Sequence, residues 1–168
     1  MGYSNYRDQP FAKRFATMGD EAEGVYQDAT PLGKTTRFGF RRPQGIKFGA
    51  LPDPVKHMPD FITTTHLVEV CGLGRDGILK SIKVSKYEAL KLWDKIAKQL
   101  GLLGVCVFVW NSSTRQFIVL NWKAIVDEVA YSKRKHGGPL AFENDGNEYY
   151  PLDWERLKDK AQLVGAWD

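Results

Sequence analysis

The sequence predicts a mixed α/β fold in which a small central sheet is flanked by helices. Three observations carry that expectation. Residues 102–110 run almost wholly apolar through VCVFVW, which suits a strand buried on both faces in the middle of a sheet. Apolar residues recur at three- and four-residue steps on either side of it, from Lys86 to Leu100 and from Trp122 to about Lys133, as amphipathic helices require. The element order is helix, loop, strand pair, helix, strand pair, helix, which is the alternation expected of helices laid on a sheet.

At 168 residues the chain has the length of one domain and can bury a real core. Its 43% hydrophobic and 26% charged content argue against disorder, and no apolar run approaches the ~20 residues of a membrane span. The N-terminus, MGYSNYRDQPFAKRF, lacks the apolar core of a signal peptide, and Tyr6 stands where a myristoylation signal wants Ser or Thr. The expected location is therefore the cytoplasm, a host cell's if the chain is phage-encoded. Cys71 and Cys106, the only cysteines, lie in apolar strands and read as reduced, packed thiols. The net charge of +4 is compatible with a polyanionic partner. Its distribution says more. Arg37, Arg41, Arg42 and Lys47 form one basic group, Arg75, Lys80, Lys83 and Lys86 a second, and Lys133, Arg134, Lys135 and His136 a third. Any one group alone reads as a solvated face. The first two flank a pair of acids.

Residues 1–9 are polar and read as a loose tail, 10–136 as the core, and 137–168 as a C-terminal hairpin and helix. From Pro10, the residues Phe11, Phe15, Met18, Ala22 and Val25 share one helical face, with Gly19 a candidate break. Residues 30–58 are rich in Gly and Pro and read as loop, with one short strand near Arg37 to Arg41. Its arginines and glycines suit a surface approached closely by a phosphate backbone. Phe61-Ile62 open a strand, Thr63-Thr64-Thr65 bend the chain, and His66 to Cys71 return it, with Gly72 as the stop. Ser85 is a candidate cap for the helix that Gly101 ends, and Asn121 for the helix from Trp122. Strands from Leu102 to Trp110 and from Gln116 to Leu120 are joined by Asn111-Ser112-Ser113-Thr114. Asn144-Asp145-Gly146-Asn147 turns a short hairpin, and a last helix is expected from Asp153 to about Leu163.

Side chains alternate across a strand, so Leu67, Glu69 and Cys71 share one face while His66, Val68 and Val70 share the other. A glutamate inside an apolar strand is costly if buried unpaired. Asp60, on the adjacent strand, is close enough to share its environment. Two neighbouring carboxylates repel unless a cation lies between them, and oxygen-ligated Mg²⁺ is a common solution.

Pro59-Asp60 on one strand and Glu69-Val70 on the next resemble the PD-(D/E)XK nuclease superfamily, whose pattern is Pro-Asp followed by Glu-X-Lys. The third position departs from it, being Cys71. Gly72-Leu73, a polar turn and a lysine-studded segment are similar to the phage-type junction-resolving endonucleases of that superfamily. The resemblance spans roughly residues 15–122 and is specific around 59–72. It implies a restriction-endonuclease-like core and metal-dependent hydrolysis of DNA, with branched or junction DNA as a substrate class. It further implies Mg²⁺ or Mn²⁺ held by Asp60, Glu69, a helix glutamate (Glu23, with Glu21 second) and the backbone carbonyl of Val70 or Cys71. Pairing into a homodimer to cut both strands is also within its scope.

In the superfamily the missing lysine orients the attacking water. Lys83 and Lys80 are the nearest replacements by chain distance, with Lys86 on the helix behind them. DNA contacts are expected from Arg41, Arg42, Arg75 and Lys86. One alternative is a nuclease fold that binds DNA, or builds an assembly, with little or no cleavage. Another is an unrelated α/β domain in which Asp60 and Glu69 are plain surface charges.

Overall fold

The computed structural model describes residues 11–40, 48–74, 76–143 and 145–168, without the side chains of 11–17 and 48. Its centre is a six-stranded sheet formed by β1 (Thr35–Arg37), β2 (Phe61–Thr63), β3 (His66–Gly72), β5 (Gly104–Asn111), β6 (Gln116–Asn121) and β9 (Leu163–Ala166), side by side in that order. The β3 and β5 strands run parallel, joined by a crossover helix, and every other neighbouring pair is antiparallel. The sheet is therefore mixed. A second, three-stranded antiparallel sheet pairs β8 (Glu148–Pro151) with both β4 (Ser81–Lys83) and β7 (Leu140–Ala141).

Alternation along the central strands sorts the core into two layers. On one face Val68, Val70, Cys106, Phe108, Trp110, Phe117 and Val119 meet Ala22 and Tyr26 of α1 (Phe11–Ala29). Tyr26 packs its ring 5.0 Å from Phe61 and 5.2 Å from Phe108, so aromatic contacts fasten this helix to the sheet. On the other face Leu67, Val105, Val107, Val109 and Leu120 meet α3 (Val84–Gln99), α4 (Trp122–His136) and α5 (Trp154–Lys158). Each fully buried Val, Leu or Phe contributes roughly 1.5–3 kcal/mol, which is why β5, buried from Gly104 through Trp110, holds the sheet's centre.

Helix α4 begins as the sequence leads one to expect, with the Asn121 side chain accepting from the Ala124 N–H at 2.8 Å. Helix α3 starts earlier than the Ser85 cap implies. Its N-cap is Lys83, and Ser85 lies in the first turn, 3.4 Å from His57 Nε2. A short α2 (Asp53–Lys56) stands where loop was expected, pinned to α3 by the Trp93 indole N–H donating to the Pro54 carbonyl at 2.8 Å. Helix α1 runs unbroken through Gly19, and β1 covers 35–37 rather than 37–41.

The C-terminus corrects the sequence reading most. The expected helix over 153–163 is only five residues long, and the chain then returns as β9 on the edge of the central sheet. Leu157 completes the buried helical face, whereas Leu163 to Ala166 satisfy their backbone groups on β6 instead.

Candidate functional site

Asp60 immediately precedes β2. The β2–β3 register pairs Phe61 with Val68 and Ile62 with Leu67, so one further step outward sets Asp60 across from Glu69. Residues directly opposite on an antiparallel pair point to the same face with Cβ atoms about 5 Å apart. The Asp60 carboxylate is oriented by the Val70 N–H, which donates to its Oδ2 at 2.8 Å. Its backbone carbonyl accepts from Phe38 at 2.9 Å and Gly39 at 3.2 Å, locking the segment from the other side. Asp60 and Glu69 thus converge, as alternation and register require.

Glu69 is buried on the α3 side of the sheet. Lys86, in the first turn of α3, crosses to that face and forms an ion pair with Glu69 Oε1. Two residues beyond Glu69 on the same face lies Cys71, a free, half-buried thiol. A lysine ammonium therefore stands beside the position where the Glu-X-Lys pattern would place one, delivered from the helix instead of the strand. Lys86 is the lysine that reaches Glu69. Lys80 instead pairs with Asp76 at 2.5 Å, and Lys83 is an exposed residue at the end of β4.

The charges here are strongly coupled. Burial pushes the Asp60 carboxyl up to about 8, helped by the negative charge of Glu69 and opposed by the Val70 hydrogen bond. Burial also raises Glu69, against the pull of Lys86. The Cys71 thiol is pushed up to about 11, by burial first, so it is neutral at physiological pH. Burial would lower Lys86, but the Glu69 carboxylate, by its charge and its hydrogen bond, outweighs it and holds the ammonium above the ordinary lysine range.

Arg37, in β1, adds a second cation. It is the cross-strand partner of Phe61 and lays its guanidinium 4.4 Å from that ring's centre. Its Nη2 donates to Glu23 Oε2 of α1, while Nη1 is 4.0 Å from Asp60 Oδ1. Glu23 is thereby linked to the Asp60 side of the sheet. Its neighbour Glu21 is not, since its Oε1 accepts the Trp110 indole N–H at 2.9 Å. Helix α1 is pressed against the end of β3, where a Cβ added to Gly72 would come within 2.6 Å of the Met18 carbonyl oxygen.

Among the described residues, no three His, Cys, Asp or Glu side chains stand close enough to hold one metal ion. The donor chemistry nevertheless fits a hard cation at the Asp60–Glu69 pair. The pair offers two oxygen-donor carboxyl groups, Glu69 buried and Asp60 half-buried, and the neighbouring Cys71 thiol, held neutral by burial, adds no ionised soft ligand. The part of Val70 engaged at the site is its N–H. Arg41, Arg42 and Arg75 lie outside the described residues. Sequence reasoning grouped Arg37 with a basic stretch. The signal that singles it out is its place on a strand antiparallel to the one that follows Pro59-Asp60. His57, close to Lys86, is pushed down to about 4 by burial and then by the Lys86 charge, so it is neutral at physiological pH. No helix of the described residues is long and apolar enough to cross a membrane.

No protein-family model matches the chain, and no curated protein matches it either. Among solved structures, the 1.6 Å structure of Hjc, a Holliday junction resolvase from Archaeoglobus fulgidus, is similar with a TM-score of 0.41 and 12% sequence identity, over 89% of this chain and 93% of that one. So slight a likeness assigns no chemistry to this chain.

Proposed function

We propose that the chain is a metal-dependent endonuclease that hydrolyses phosphodiester bonds in DNA. The observation that carries this reading is the Lys86 ammonium, brought from α3 onto Glu69 beside Cys71 and across from Asp60. It supplies the element whose absence at Cys71 stood against a PD-(D/E)XK assignment. Asp60, Glu69 and the backbone carbonyl of Val70 or Cys71 are the groups that would hold Mg²⁺ or Mn²⁺, with Glu23 able to join from α1. When bound, such an ion supplies polarisation of the phosphodiester, a more acidic water and stabilisation of charge on the leaving oxygen.

The protein's own groups do the rest. Lys86 offers three N–H donors in a fixed place, so it can orient the attacking water and face the negative charge that develops on the phosphate. Glu69 keeps that ammonium charged and aimed. Asp60 is fixed by the Val70 N–H, and a bound cation would offset the burial that raises its carboxyl and so favour its ionised form. No covalent intermediate is required. Branched DNA is the substrate class we propose, on the likeness of the 59–86 stretch to junction-resolving enzymes.

A second reading, DNA binding without cleavage, is favoured by one observation. Two protein cations, Arg37 and Lys86, already engage the acids. Incubating linear, supercoiled and four-way-junction DNA with the protein and Mg²⁺ or Mn²⁺ decides between the two. Cleavage that Asp60→Ala abolishes is expected. Binding with no cleavage in either metal selects the second reading.

A further inference from the structure

Arg37 is held on three sides. Its guanidinium lies over Phe61, a ring that is 0% exposed and so a fixed floor. Glu23 takes Nη2. The remaining end, Nη1, is buried without a hydrogen-bond partner and points toward Asp60 from 4.0 Å. A buried N–H pair of a charged group left without an acceptor is costly, so this placement is not what optimised packing alone would select. One cation is shared unevenly between two carboxylates from different elements. With the guanidinium standing between them, Glu23 and Asp60 do not gather with Glu69 into a three-acid set.

We propose that Arg37 is the resident counter-cation of Glu23 and Asp60, as Lys86 is of Glu69. It is a positioning residue that holds Glu23 and Asp60 away from a shared divalent ion until such an ion displaces it. For the identity of the ion, the inference rests on the metal-dependent reading above. The physical basis is charge. A divalent ion arriving at Asp60 and Glu69 repels the guanidinium at short range through partly buried surroundings, where screening is weak. The Arg37 side chain is 24% exposed and has a way out to water. Its departure releases Glu23, whose helix lies against the end of β3 at Gly72.

The test is calorimetric titration of Mg²⁺ and Mn²⁺, without DNA, into the native protein, Arg37→Gln, Arg37→Lys and the double variant Glu23→Gln/Arg37→Gln. Arg37→Gln is expected to bind the ion about tenfold or more tightly, because a competing charge is gone. Arg37→Lys keeps the charge and should stay near the native affinity. Adding Glu23→Gln should remove the gain. In EDTA, Arg37→Gln should melt below the native protein and recover more on adding Mg²⁺. A merely structural arginine would give the opposite sign, weaker binding on removal. Arg37→Met, apolar over the Phe61 ring, serves should glutamine fail to fold.

Unchanged or weaker affinity in the folded neutral variants overturns the proposal. If the native protein still gives heat that Asp60→Asn abolishes, that outcome leaves the metal-dependent reading standing. Heat seen only once Arg37 is neutral, and lost again with Asp60→Asn, supports the proposal in its strongest form. No heat from any of these proteins overturns it together with the metal-dependent reading.

Discussion

Asp60 and Glu69 face each other because two short-range rules agree. Alternation puts Glu69 on the α3 side, and the Thr63-Thr64-Thr65 bend fixes a register that sets Asp60 opposite it. Both rules could be applied to the bare sequence, so this pair was legible there. Lys86 was less so. Its reach depends on where β4 ends and in which rotation α3 begins, which a second sheet decides through β8, more than sixty residues later. Arg37 was less legible still, since a three-residue strand leaves no periodicity to read. The coupling of these groups has a consequence for pH. The Asp60 carboxyl titrates near 8 in the folded protein against an ordinary 3.8. A raised folded value stabilises fully below the unfolded value, and that stability is lost as pH rises through the folded one. In EDTA the melting midpoint should therefore fall between about pH 4 and pH 8, and Asp60→Asn should flatten that fall. A midpoint with the same slope in Asp60→Asn would remove the buried acid from the explanation.

Among the elements, α1 and β3 need the closest approach at the site. Gly72 ends β3 where the Met18 backbone crosses it, and any Cβ there must push the helix outward. Gly72→Ala is expected to cost roughly 1–3 kcal/mol of stability by overpacking. Because α1 carries Glu23, it should also weaken the hold of Glu23 on Arg37. Urea unfolding of the variant reads the first effect, and an unshifted midpoint would mean the helix is free to move. The long helices and the apolar β5 were plain in the sequence because each repeats one period over many residues. The hairpin from Leu140 to Tyr150 and the Asp153 cap were legible too, but the residues after Lys158 were not. Trp154, Leu157 and Ala161 share a helical spacing, but only a neighbouring edge on β6 could show that Leu163 to Ala166 pair as a strand.

For the molecule as a whole, acids and cations gather at one edge region of the sheet, where β1, β2 and β3 meet α1 and the start of α3. A polyanion approaching that region meets lysines on β4 and α3, so phosphate contacts should dominate binding. The affinity for a four-way junction, measured by fluorescence anisotropy in Ca²⁺, should fall steeply as salt rises from 50 to 200 mM, by roughly 10³-fold for six phosphate contacts. A salt-independent affinity would rule out a phosphate-led mode.

The most direct test of the site is cleavage of that junction in Mg²⁺ by three proteins: native, Lys86→Ala and Cys71→Lys/Lys86→Ala. If α3 supplies the lysine that the strand lacks, Lys86→Ala should lose roughly 10²–10³ in rate while still binding DNA. Returning a lysine to position 71 should then recover a measurable part of that loss. Cleavage by Lys86→Ala at the native rate would contradict the assignment of the working ammonium to Lys86.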